Sequence, residues 1–169
     1  LSAAIGWLCR AQDVRNGNAH AGGVSAGWSF EDGWLPSYPE TSGYIVETFI
    51  AAARTLDRPN LVARAHRIID WELSIQHPDG AFPGHFGEPG SQPVIFNTGQ
   101  IMHGMLAGHL QLGRAECLEA AHRIARVAFE DRVMRPCDRG AREQQDQRIH
   151  ERQVERRDDA DALGRPDAA

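Results

Sequence analysis

The chain has 169 residues, 41% of them apolar and 24% charged, which is room for one globular domain with a core and too little for two large ones. A net charge of −5 with no large excess of one sign lacks the basic footprint that nucleic-acid binding requires, so no nucleic-acid partner is expected. No apolar run approaches 18 residues and no charged-then-apolar leader is visible, so neither a membrane span nor an export signal is predicted.

The first predicted element is a helix from Ser2 to Gln12, and because Leu1 already lies in helical sequence, residues are expected to precede it. A long segment broken by Gly and Pro follows. Its stretch from Trp28 to Tyr44 is the richest in the chain, holding Trp28, Trp34, Tyr38, Tyr44 and the carboxylates Glu31, Asp32 and Glu40. The next helix is predicted from Ser42 to Leu56, where Tyr44, Ile45, Val46, Phe49, Ile50 and Ala51 to Ala53 leave little polar surface, so it is expected to be covered on nearly all sides. From Asn60 to Gln76, Leu61, Ala65, Ile68 and Ile75 form one apolar stripe, with Arg64, Arg67 and Asp70 turned away. Gln76 to Phe82 reads as a helix end and a tight turn, Gly80 supplying positive φ and Asp79 an Asx-type hydrogen bond. Two more helices are predicted, Thr98 to Leu112 and Glu116 to about Phe129. Thr41 or Ser42, and Asn97 or Thr98, are suited to cap the two apolar helices.

Residues 130–169 obey different rules. They hold nine of the 18 arginines and 11 of the 23 acidic residues, and none of the Trp, Tyr or Phe, so they are predicted to be a charged tail, disordered or out of frame, behind a domain at 1–129. Every basic residue in the chain is Arg, a bias read as codon composition.

Within the domain, Ala65-His66-Arg67-Ile68 recurs as Ala121-His122-Arg123-Ile124, 56 residues on. The same offset places Thr41-Ser42-Gly43-Tyr44-Ile45 on Asn97-Thr98-Gly99-Gln100-Ile101, Leu56 on Leu112 and Arg58 on Arg114. Trp7 and Gln12 stand five apart, as do Trp71 and Gln76, making the first helix a third member of the amphipathic set. Amphipathic helices alternating with more apolar ones imply an outer and an inner layer. The predicted fold is therefore all-α, an incomplete (α/α) toroid of helical hairpins with about five helices, followed by the tail.

Gln76, Asp79, Gly80 and Phe82, placed between paired helices, resemble the repeat signature of the terpenoid cyclase and prenyltransferase toroid superfamily, where the motif is structural. Trp34-Leu35-Pro36, Tyr38-Pro39-Glu40-Thr41 and Gly43-Tyr44, followed by Phe96-Asn97-Thr98-Gly99-Gln100, look more like bacterial toroid proteins related to that superfamily and often encoded with polysaccharide genes. The resemblance spans roughly residues 1–129 and implies a six-hairpin, glycosidase-like scaffold of which this chain is a fragment.

In a toroid the starts of the inner helices ring one mouth of the cavity, each with free N–H groups and the positive end of its dipole. Glu40, Tyr44 and Glu47 on one inner helix, and Asn97, Gln100 and His103 on the next, are expected to face that mouth. With Trp28, Trp34 and Tyr38 they suit a sugar, which presents a flat face for stacking and hydroxyls for hydrogen bonds. Asp32 and Glu40 are the economical acid and base for glycosidic cleavage. The plain structural alternative is that Glu40 favours a helix N-terminus, Asn97 caps its helix and Asp32 shapes a turn.

His66 and His122 share one repeat position and read as packing or surface residues, and His77, His85, His103 and His109 include no pair at helical metal spacing, so no metal or cofactor is expected. Asp158-Asp159-Ala160-Asp161 reads as solvated charge. Cys9, Cys117 and Cys137, odd in number and far apart, suit free buried thiols and a reducing, cytoplasmic setting. The expected function is a carbohydrate-active protein processing a polysaccharide or uronic sugar. The alternatives are a cyclase- or prenyltransferase-like protein, whose acidic or zinc motif is not found in residues 1–129, and a non-catalytic binding or assembly protein. Self-association through the open edges of the arc is also expected.

Overall fold

The computed structural model describes residues 1–17, 20–84, 86 and 91–127. The tail at 130–169, with Cys137 and the Asp158 to Asp161 cluster, and His85 lie outside the described residues.

Five helices carry the fold: α1 (Ser2–Asp13), α2 (Pro39–Thr55), α3 (Asn60–Ile75), α4 (Ile95–Leu112) and α5 (Ala115–Arg126). A short antiparallel hairpin, β1 (Trp28–Ser29) and β2 (Gly33–Trp34), lies between α1 and α2. The domain is all-α. The inner pair α2 and α4 pack on each other, α3 packs on α2 and α5 on α4. Between these layers lies a core that includes Ile5, Val46, Phe49, Ile50, Leu61, Ile68, Ile69, Ile101, Met105 and Ile124, all buried. Burying such side chains contributes about 1.5–3 kcal/mol each relative to exposure.

Both inner helices start earlier than their polar residues suggested. Pro39 occupies the first turn of α2, where its fixed φ is preorganised and its missing N–H costs nothing, and Tyr38 precedes it in extended conformation. In α4 the extended residue is Val94, and neither helix start has a side-chain cap. The expected caps are thus corrected. Ser42 and Thr98 lie inside their helices, and each hydroxyl accepts a backbone N–H from the incoming loop, Val24 and Phe82 respectively, at 3.0 Å. Asn97 caps nothing, because the chain is already helical at Ile95.

The repeat reappears as a repeated set of contacts, in which Arg64 and Ala120, and Arg67 and Arg123, keep the 56-residue offset while Gln12 and Gln76 stand 64 apart. The Gln12 amide donates to the carbonyls of Gly22 (2.8 Å) and Arg64 (3.1 Å), and its oxygen accepts from Arg64 and Arg67 at 3.0 Å. One unit later, the Gln76 amide donates to the carbonyls of Gly80 (3.1 Å) and Ala120 (3.3 Å), and its oxygen accepts from Arg123 Nε at 3.1 Å. Gly22 and Gly80 both have positive φ, 104° and 97°, and sit against the backbones of Arg67 and Arg123. Asp79 closes its turn by accepting the Ala81 N–H at 2.9 Å. Each loop then folds back on itself, through the bridges Ser25 to Ser37 and Pro83 to Pro93, before entering an inner helix.

Where α2 crosses α4, glycines bring the backbones together. A methyl at Gly104 would fall 2.6 Å from the carbonyl oxygen of Gly43, and one at Gly43 would fall 2.9 Å from Ile101 Cα. The expectation that α2 is covered on nearly all sides is corrected, since Tyr44, Glu47, Thr48 and Ala51 are exposed along one stripe. Cys9 and Cys117 are free and buried, and burial pushes the Cys117 thiol up to about 11. No helix among the described residues is long and apolar enough to cross a membrane.

Glu72 on α3 is fully buried, and neither carboxylate oxygen has a hydrogen-bond partner among the described residues. Desolvation raises its pKa well above the ordinary 4.5, so the folded state holds a proton that the unfolded state releases. Stability therefore falls as pH rises from about 4.5 toward the folded pKa, with a limiting slope of about 1.4 kcal/mol per pH unit. Glu72→Met, which keeps the length and removes the carboxyl, is expected to lose that slope and to gain on the wild type as pH rises; parallel urea-unfolding curves from pH 4 to 8 would refute it. Gly80→Ala is expected to cost on the order of 3 kcal/mol, because a methyl there combines strained φ with a 2.6–2.7 Å collision against Arg123. An unchanged midpoint in the same assay would contradict this.

Candidate functional site

The exposed stripe of α2 is a consequence of helix geometry. Residues 44, 47, 48 and 51 recur at three- and four-residue steps and share one face. That face is rotated away from both the Gly43 face, which meets α4, and the Val46, Phe49 and Ala53 face, which is buried in the core. It forms one wall of an open cleft of about 440 Å³, and His103 of α4 lines it as well. The cleft is lined by Tyr44, Glu47, Thr48, Ala51 and His103. Glu47 and His103 are related by the 56-residue repeat, so one helix position supplies a carboxylate in one unit and an imidazole in the next.

Tyr44, Glu47 and His103, placed at the cavity mouth from sequence, therefore converge. Thr48 and Ala51 were not singled out; they follow Tyr44 by one and two turns, and carrying the same face further along the helix would have found them. Glu40 stands one turn before Tyr44, half-buried in the first turn of α2. The Tyr44 phenol is held above its ordinary value, first by desolvation, then by the charge of Glu40 and a hydrogen bond to it.

The remaining candidates lie elsewhere. Asn97 is buried in the first turn of α4, and its amide nitrogen has no hydrogen-bond partner among the described residues. Gln100 is half-buried beside it on the same helix. Tyr38 packs edge-on against Phe86, with centroids 6.0 Å apart. Asp32 is exposed in the turn of the hairpin, where its N–H and that of Glu31 point to Ser29 Oγ. Neither Asp32 nor Glu40 lines the cleft.

Trp28 and Trp34 belong to a second aromatic surface. Trp34 packs between Trp7 of α1 (5.3 Å, tilted) and Trp28 (5.4 Å, edge-on), spacings at which aromatic pairs attract. Arg15 donates to the Trp34 carbonyl, fixing the hairpin to the end of α1. Trp7 and Trp28 keep exposed faces, and Phe30 at the hairpin tip is fully exposed. The spacing of Trp7 from Gln12 marks it as part of the repeat framework and gives no sign of its exposed face.

Because Glu40 raises the Tyr44 pKa, Glu40→Gln is expected to lower the pH at which this phenol ionises, and the sign is fixed by removal of a neighbouring negative charge. Ultraviolet titration of the wild type and the variant checks it; unchanged curves would separate the two residues.

No protein-family model, curated protein or solved structure matches this chain.

Proposed function

We propose that the cleft between α2 and α4 takes up a sugar unit of a polysaccharide or uronic acid, and that the chain is carbohydrate-active, with the tryptophan cluster as a second stacking surface. The observation that carries this reading is the convergence of a phenol ring, a carboxylate, a hydroxyl and an imidazole in one cleft of about 440 Å³. A pyranose offers an apolar face to Tyr44, and hydroxyls to Glu47, Thr48 and His103, which between them accept and donate hydrogen bonds. The volume falls within the range of small-molecule sites, roughly 300–1,000 Å³.

Proton transfer, where turnover occurs, falls to Glu47 and His103. A general acid or base must come within roughly 3 Å of the proton it moves, and these two line the cleft whereas Asp32 sits at the hairpin turn. One observation favours the non-catalytic reading: Glu47 is the single carboxylate lining the cleft among the described residues, and glycosidic cleavage commonly uses two.

Calorimetric titration with neutral and uronic oligosaccharides tests the binding. Tyr44→Ala and Glu47→Gln are each expected to weaken it about 10-fold or more, since a hydrogen bond to a charged group is worth about 1.5–3 kcal/mol. Binding by the wild type without release of product selects the non-catalytic reading. No heat with any oligosaccharide, or full affinity in both variants, overturns the proposal.

A further inference from the structure

The lining of the cleft is biased toward hydrogen-bond acceptors and toward negative charge. Among the residues that form it, Glu47 is a carboxylate and none is Arg. Thr48 follows Glu47 directly and lines the cleft with it. The Thr48 hydroxyl donates to the carbonyl of Tyr44 at 3.3 Å, so its proton is engaged within α2 and its remaining lone pairs are what it offers a ligand. Two adjacent side chains of one wall therefore accept. Glu40 adds a second carboxylate one turn before Tyr44, and its charge is felt at the phenol.

No cation offsets this charge at the lining. Helix α4, which supplies His103 to the cleft, contains no Lys or Arg. On the exposed stripe of α2 the next basic residue is Arg54, in the last turn. It stands seven residues beyond Glu47, about 10 Å along the axis at 1.5 Å per residue. No ion pair among the described residues joins the two.

Three kinds of sugar meet such a lining differently. A uronic acid brings a carboxylate, which only accepts; it faces the like charge of Glu47 and the lone pairs of Thr48, without the forked guanidinium that suits carboxylates. A neutral sugar brings hydroxyls, each with one proton to give. A sugar bearing a free amine brings an ammonium with three donors and a positive charge, which matches adjacent acceptors, forms a charge-assisted hydrogen bond to a carboxylate and is attracted to the face of a phenol ring.

Resting on the carbohydrate reading above, we infer that the cleft selects a sugar unit with a free amine, its ammonium held by Glu47 and Thr48 beside the ring of Tyr44. Selection then depends on the substituent at nitrogen: acetylation removes the charge and two of the three donors, and leaves the ring unchanged.

Calorimetric titration of the 169-residue chain with oligomers of glucosamine, N-acetylglucosamine and galacturonic acid, equal in length and with the amine charged, reads this selection. Glucosamine is expected to bind about 10-fold or more tighter than its acetylated form, with galacturonic acid the weakest of the three. Glu47→Gln should abolish that preference, and Thr48→Val, which keeps the shape and removes the acceptor, should weaken glucosamine binding about 10-fold. Arg54→Gln should leave the order of the three sugars as it is. Far-ultraviolet circular dichroism checks that each variant keeps its helices. Galacturonic acid or N-acetylglucosamine binding as tightly as glucosamine, a preference that survives Glu47→Gln, full glucosamine affinity in Thr48→Val, or an order that changes with Arg54→Gln would each overturn the inference and leave the carbohydrate reading standing. No heat with any of the three overturns that reading and the inference with it.

Discussion

A primary amide buried in the seam between outer helices has to satisfy two N–H donors and a carbonyl with nothing but protein, and the rest of this fold is arranged around that requirement. Gln12 is fully buried and meets it from three sides: the turn carbonyl of Gly22, the helix carbonyl of Arg64, and the guanidinium groups of Arg64 and Arg67. Gln76 reproduces the arrangement one unit later. Each glutamine thus ties the end of one outer helix to its own turn and to the flank of the next outer helix. The turns can approach so closely because glycine at positive φ leaves room for the arginine backbone beneath. At the surface, Asp13 reinforces the first clamp, its carboxyl held below the usual range chiefly by a hydrogen bond from Arg64.

Fixing the outer helices fixes where the inner ones enter. The loop beyond each glycine folds back through one backbone bridge, gives an N–H to a helix hydroxyl, and delivers the chain to α2 or α4 at corresponding places. The two inner helices then cross at Gly43 and Gly104, close enough that no side chain separates them. Buried on two sides, each inner helix keeps one polar or mixed stripe for solvent. The cleft with Tyr44, Glu47 and His103 is therefore a product of the packing that holds the layers together, and chemistry there can vary without disturbing the seams.

The cleft and the tryptophan cluster differ in their physics. The cleft is concave and mixes an aromatic ring with charge, which suits a small polar ligand. The tryptophan cluster is exposed and held together by mutual ring contacts and by the Arg15 tie to the hairpin. Glu72 stands apart from both, an acid in the core with no hydrogen-bond partner among the described residues, which opposes folding at high pH.

The sequence by itself determined the helical class, the approximate span of all five helices and the 56-residue register, because periodicity, glycine and glutamine spacing act within a few residues of themselves. It also put Glu40, Tyr44, Glu47, Asn97, Gln100 and His103 at one mouth, since the repeat puts equivalent positions on equivalent faces, and of these Tyr44, Glu47 and His103 line the cleft. Only the tertiary structure decided that helices begin at Pro39 and Ile95, because an extended residue leading into a preorganised first turn can replace a side-chain cap. Only it parted Asp32, Trp28 and Trp34 from the cleft, by folding the aromatic-rich loop into a hairpin that Trp7 and Arg15 hold against α1. Burial shows the same limit. Ile50 and Leu106 are equivalent in sequence and differ in exposure, 2% against 37%, because α2 has a following inner helix packed on it and α4 has none among the described residues. What a side chain is follows from its codon; what lies opposite it follows from the whole chain.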